Sequence, residues 1–91
     1  METETTVEEL MEEFQKYCTK VIRKRIKSRD YLECDSHVCI KYNDCPAMRR
    51  INYWAIDHVY DKLISIYAKR GVDLRFQGYN CGSYVTISKI K

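Results

Sequence analysis

One uninterrupted helical period, over residues 46–70, constrains the fold of this chain more than any other feature of its sequence. Pro46 suits a first helical turn, and Gly71 suits the residue after a helix end. Between them the apolar positions recur at helical spacing: Met48, Ile51, Ala55, Ile56, Val59, Leu63, Ile66 and Tyr67. Tyr53 and Tyr60 widen this apolar arc beyond half of the circumference. The sequence therefore predicts one long helix that packs against both a sheet and another helix.

Four other segments, predicted as one helix and three strands, supply those packing partners. Residues 5–28 carry an apolar stripe at helical spacing behind a threonine N-cap, which predicts an amphipathic helix. Residues 37–42 alternate between apolar and polar side chains, as in a half-buried strand. Residues 72–77 and 83–89 alternate in the same way and are joined by a segment with two glycines, which predicts a hairpin.

These elements make one α+β domain over all 91 residues. Their order is helix, strand, helix, strand, strand, and it predicts two helices packed on one face of a three-stranded sheet. A chain this short has no room for a cleft between two domains, and it contains no linker or repeat. Its small core would gain stability from burial against a partner.

The composition limits which cellular compartment and which classes of partner we expect. The net charge of +3 is too small to indicate nucleic acid by itself, and five cysteines cannot all pair internally. The sequence has no apolar run long enough to cross a bilayer, and its first residues are acidic rather than basic and apolar. We therefore expect an intracellular protein, in cytoplasm or nucleus, with reduced cysteines and no membrane partner.

Trp54 is the first candidate binding residue. On a helical wheel it falls with Arg50, His58 and Asp61, away from the main apolar arc. Tryptophan and arginine are enriched at the centres of protein interfaces. The alternative is that helix one or the N-terminal segment covers Trp54, so an exposed Trp54 would favour an interface and a buried one would exclude it.

Two tyrosines extend the candidate contact surface. Tyr79 is predicted at the hairpin tip and Tyr84 on the outer face of the sheet, where both are placed to contact a partner. Together with Trp54 they favour a non-enzymatic protein-interaction or assembly module. Its partner would be another protein or a second copy of the chain.

The charges of helix one suggest a second function class. Residues 1–13 contain six Glu and no basic residue, whereas residues 16–29 contain seven Lys or Arg and no acidic residue. Candidates for contact with nucleic acid or another anionic surface are Lys16, Lys20, Arg23, Lys24 and Lys27. The alternative is a solvated helix face whose charges follow the helix dipole.

A winged helix-turn-helix is a further route to nucleic acid. The predicted element order fits one if residues 46–70 form two helices with a turn between them, which would make Arg49, Arg50 and the loop around Tyr79 the contacts. No Gly, Pro or break of period marks such a turn, and Asp57 would lie near the recognition helix. A turn near Asn52 would support this hypothesis, and one straight helix would exclude it.

Metal binding and catalysis are the remaining classes. Four residues of the types that bind zinc fall within twelve positions: Cys34, His37, Cys39 and Cys45. Scattered free cysteines are the alternative, because the predicted strand separates the outer two. Cys45 at a helix N-terminus, with a histidine as base, would suit nucleophilic chemistry. The sequence supplies no Gly-rich oxyanion loop, so we expect neither an enzyme nor a small-molecule substrate.

Overall fold

The computed structural model, which describes residues 6–79 and 82–90, confirms the predicted α+β class and element order. The described residues form three helices and one antiparallel sheet of three strands, and a short 3-10 turn lies on each side of β1. The elements are α1 (Val7–Ile26), a 3-10 turn (Asp30–Leu32), β1 (Ser36–Lys41), a 3-10 turn (Tyr42–Asp44), α2 (Pro46–Arg50), α3 (Tyr53–Ala68), β2 (Val72–Tyr79) and β3 (Gly82–Lys89).

The first helix forms where its apolar stripe and cap predict it. The hydroxyl of Thr6 accepts a hydrogen bond from the Glu9 amide at 3.1 Å, which satisfies one of the free N–H groups of the first turn. The buried stripe is Leu10, Phe14, Cys18 and Ile22. Among the described residues no helix combines the length and the apolar content that crossing a membrane requires.

The prediction of a single helix over residues 46–70 is wrong, because the helical backbone breaks after Arg50. Ile51 and Asn52 both have extended backbone angles, and α3 starts at Tyr53 with Asn52 as its N-cap. Asn52 takes the extended backbone of an N-cap without a side-chain cap hydrogen bond, and β-branched isoleucine gains less than most residues from a helical backbone. Ile51 is nevertheless buried, so the break adds one more apolar side chain to the core.

The sheet has the order β1-β3-β2, with both neighbouring pairs antiparallel. Side chains that face the helices are buried or half-buried on every strand, as the alternation predicts: Val38, Ile40, Val72, Leu74, Phe76, Val85 and Ile87. The hairpin strands are longer than predicted, because Tyr79 pairs with Gly82. Two residues therefore join the strands, and they lie outside the described residues.

The core joins α1, α3 and the hairpin through three aromatic rings. Phe14 is fully buried and lies 5.7 Å from the Tyr60 ring, and Tyr60 stacks on Phe76 with centroids 4.0 Å apart. The hydroxyls of Tyr60 and Ser83 share a buried hydrogen bond. Burial raises the pKa of Tyr60, so the phenol stays protonated. This junction fixes α3 on the sheet and leaves the opposite face of α3 exposed.

Candidate functional site

Two exposed aromatic side chains open α3 and form the aromatic patch, which we define as Tyr53 and Trp54. Tyr53 is 81% exposed and Trp54 is 62% exposed. The apolar face of α3 starts at Ala55 and Ile56, which pack into the core, so the two preceding residues point elsewhere. Large exposed aromatic side chains next to each other are unusual on a domain this small.

The charges beside the aromatic patch change sign along the chain. Arg49 and Arg50 are exposed at the end of α2, and the Arg49 guanidinium donates to the Asn43 side-chain oxygen at 2.6 Å. Asp57 and Asp61 are exposed one and two turns after Trp54. Within residues 6–79 and 82–90, Arg50 and these two carboxylates form no ion pair. The aromatic patch thus lies between free basic and free acidic groups.

Tyr84, another predicted contact residue, lies on a different surface. Tyr84 is 37% exposed on the outer face of the sheet and stacks on His37 with centroids 5.1 Å apart. A depression of about 420 Å³ beside it is lined by Cys39, Gln77 and Gly78. The side chain of Tyr79 lies outside the described residues. The helices cover the opposite sheet face, so the structure does not bring Tyr84 together with Trp54.

A surface groove of about 1120 Å³ lies between α1 and α3, and we call it the basic groove. Six cations line it: Lys16, Lys20, Arg23, Lys24, Lys27 and Lys62. The first five were predicted together from the sequence. His58, predicted beside Trp54, lines the groove as well. The contributions of Lys62 and His58 from α3 were missed, because a single helical wheel does not reveal which residues face a neighbouring helix.

Among the residues that line the basic groove, the carboxylates lie at one end. Glu8 and Glu12, from the first half of α1, line that end, and Glu12 pairs with Lys16 at 3.5 Å. The remaining cations have no ion pair within the described part of the chain. Several of them are spaced four residues apart on α1, where like charges repel. Within the described residues, the row of positive charge beyond Lys16 is therefore not compensated by ion pairs.

The proposed zinc ligands do not come together. Cys34 is exposed before β1, and His37 and Cys39 point to the exposed face of the sheet, whereas Cys45 is buried beneath α2. Among the described residues no three His, Cys, Asp or Glu side chains are close enough to hold a metal. Burial raises the pKa of Cys45 despite hydrogen bonds from the Met48 and Ala47 amides, which disfavours the thiolate that nucleophilic chemistry needs.

We expect iodoacetamide to modify Cys34 and Cys39 at least about tenfold faster than Cys18 and Cys45 in the folded protein. Burial shields the latter two thiols, and it raises their pKa, so less thiolate is present at neutral pH. Peptide mass spectrometry of timed samples measures each site. In urea the rates should converge, and fast labelling of Cys45 in the folded protein would contradict its placement.

The turn at Ile51 and Asn52 meets the condition set for the winged helix-turn-helix hypothesis. The observed order of helix, strand, two linked helices and hairpin, with β3 at the centre of the sheet, fits that architecture. Its recognition helix would be α3, whose exposed face carries Asp57 and Asp61 beside Trp54. Comparison with protein-family models, with curated proteins and with solved structures found no significant match.

Proposed function

We propose that this protein is a small non-enzymatic module that binds protein through the aromatic patch, and that its partner is a second copy of the chain. The observation that carries the proposal is the exposure of Tyr53 and Trp54, side by side on a helix whose other face is fully packed. Tryptophan and tyrosine contribute much of the affinity at protein interfaces, because they bury a large area with little loss of rotamer freedom.

The exposed area of the aromatic patch suits a weak dimer. With about 150–250 Å² for each aromatic side chain, the exposed parts of four such side chains from two copies supply roughly 600 Å². That is more than a third of the roughly 1,600 Å² of a standard interface, and the charged rim would add the remainder. We therefore expect self-association in the micromolar range.

Charge complementarity favours a second copy over an unrelated partner. Along the chain, Arg50 precedes the aromatic patch, and Asp57 and Asp61 follow it. A two-fold axis through Trp54 reverses this order in the second copy, so the basic end of each copy meets the acidic end of the other. The aromatic patches of the two copies can then be buried against each other without placing like charges opposite one another.

Replacing Trp54 with alanine is expected to weaken dimerisation by about 30-fold or more, the loss typical of an interface hot spot. Alanine suits a helix and the side chain is exposed, so thermal stability of the monomer should be unchanged. Sedimentation equilibrium from low to high micromolar concentration measures the dimer fraction. A wild-type chain that stays monomeric throughout would overturn self-association.

Four further variants test the geometry. Tyr84→Thr removes the exposed aromatic side chain on the other layer and should leave dimerisation unchanged, whereas an equal loss would show that the sheet face makes the contact. Arg50→Asp and Asp61→Arg should each weaken the dimer, and their combination should restore it, because the complementary pair is re-formed with reversed sign. Additive losses would contradict the two-fold arrangement.

Nucleic-acid binding is the second candidate, and the helix-turn-helix break at Ile51 and Asn52 is the observation that favours it. Arg49 and Arg50 would contact the phosphates of a duplex. The protein contact ranks first because Asp57 and Asp61 would face the same phosphates from α3 and repel them. A fold of this kind does not by itself establish a function.

A further inference from the structure

The basic groove between α1 and α3 is a second surface without an assigned ligand. We propose that it binds the phosphate backbone of single-stranded nucleic acid. This inference does not depend on the protein contact at the aromatic patch, and it rests mainly on the cations of α1, whereas a helix-turn-helix would contact duplex DNA through α3. Six cations from two helices line one concavity of about 1120 Å³.

The spacing of the cations suits a polymer with repeated negative charge. Lys16, Lys20, Arg23 and Lys27 follow one another every three or four residues, so the row rises by about 5 Å per step and covers about 16 Å of α1. Lys62 extends the positive charge to the α3 wall. A row of this length reaches several successive phosphates of one strand, whereas a single small anion would occupy only one step.

The shape of the groove favours one strand over a duplex. Packed helices have axes about 8–10 Å apart, so the concavity between their outer surfaces admits an extended strand but does not enclose a double helix. Met11 is half-buried and supplies apolar surface within the groove, and the exposed His58 supplies a ring beside it. Single-strand binding sites combine rings on which bases can stack with a basic path for the backbone.

A membrane surface is a poorer fit than a nucleic acid. Peripheral helices bind membranes by inserting an exposed apolar face beside their cations. The apolar stripe of α1 is already buried in the core, and the cations line a concave surface that a flat bilayer would not enter.

The acidic end of the groove, formed by Glu8 and Glu12, repels phosphate, so the nucleic-acid strand would follow the half of the groove from Lys16 to Lys27.

The like charges also predict an effect of the ligand on stability. On α1 the pairs Lys16/Lys20, Lys20/Lys24 and Arg23/Lys27 lie four residues apart, a spacing at which like charges destabilise a helix. A polyanion that neutralises them stabilises the folded state, because it binds this state and relieves the repulsion. Oligo(dT) should therefore raise the melting temperature of the wild-type protein.

The test is a fluorescence anisotropy titration of labelled oligo(dT) at several salt concentrations. The wild type should give a plot of log affinity against log salt with a slope of about −3.5 to −4, from about 0.7 counterions for each of five or six phosphate contacts. The groove variant, Lys20→Gln/Arg23→Gln/Lys27→Gln, should lose about 100-fold in affinity at ~0.1 M salt, and its slope should shrink by about 2.

The matched control is Lys41→Gln/Arg75→Gln/Lys89→Gln, which removes the same charge from exposed positions on the strands. It should change affinity by no more than about 3-fold, since only long-range attraction is lost. An equal loss of oligo(dT) affinity in both triple variants would overturn the proposal that the groove is the binding site. The Trp54→Ala variant should bind oligo(dT) as the wild type does, which separates this proposal from the protein contact.

Other polyanions identify what the groove recognises. A duplex and poly-glutamate should each bind more weakly than oligo(dT) and should raise the melting temperature less. Tighter binding of the duplex, lost on Arg49→Gln/Arg50→Gln and kept in the groove variant, would overturn the proposal in favour of the helix-turn-helix. Equal affinity for poly-glutamate would overturn it in favour of an acidic protein.

Discussion

A Gly82→Ala variant is expected to lose at least about 3 kcal/mol of unfolding free energy, near the upper end of the cost of local backbone strain. Gly82 opens β3 with φ of +150°, a conformation that side chains with a Cβ rarely adopt. A Cβ added there would also collide with the carbonyl oxygen of Ile40 on β1. That oxygen belongs to the backbone of the neighbouring strand, so only a shift of β1 against β3 would relieve the clash.

Gly78→Ala is the matched control, since it lies in the same hairpin and pairs with Ser83 next to Gly82. An added Cβ at Gly78 meets no atom within 4 Å. Its stability should stay within about 0.5 kcal/mol of the wild type, as for an exposed surface position. Urea unfolding followed by circular dichroism compares the two. Equal losses would show that the hairpin tolerates no side chain at either site and would contradict the specific contact with Ile40.

Local patterns were sufficient to predict most of the secondary structure. The Thr6 cap with Glu9 and the apolar stripe of α1 are short-range features, and so is the alternation along each strand. Each of these signals depends on neighbours within four residues, where the backbone itself determines which side chains share a face. The three-stranded sheet then follows from the number and order of the elements.

The break between α2 and α3 could not be predicted from the apolar period. Met48, Ile51 and Ala55 are buried in the observed structure, and they would also share a face in one continuous helix. The pattern therefore fits both arrangements equally well. Asn52 was the available local signal, because asparagine favours helix caps, but a single cap residue is a weak signal inside a strong helical period.

The candidate site was predictable only where it depends on one element. The helical wheel places Trp54 off the main apolar arc, and it places the cations of α1 in one row, but whether another segment covers Trp54 was left open by the sequence. Lys62 joins that row only because α1 and α3 pack side by side. The same limit explains the failed zinc site, since Cys45 is close to Cys39 in sequence but is buried beneath α2 rather than exposed on the sheet.

The largest loss of stability is expected from Phe14→Ala, which should lower the unfolding free energy by about 3–5 kcal/mol. Phe14 is fully buried and packs on Tyr60, which in turn stacks on Phe76. Removing the ring leaves a cavity where α1, α3 and the hairpin meet. A domain of this size has a total stability of about 5–14 kcal/mol, so a variant at the lower limit would be largely unfolded.

Phe14→Leu keeps the fold measurable if the alanine variant does not fold. Leucine fills most of the same space, and its cost should be about 1–1.5 kcal/mol. Val7→Ala, on the same helix but 42% exposed, is the surface control and should change stability by less than about 0.5 kcal/mol. Urea unfolding measures all three variants. If Phe14→Leu and Val7→Ala lose equal stability, α1 does not pack through Phe14. The placement of α1 beside α3, and with it the basic groove, would then be contradicted.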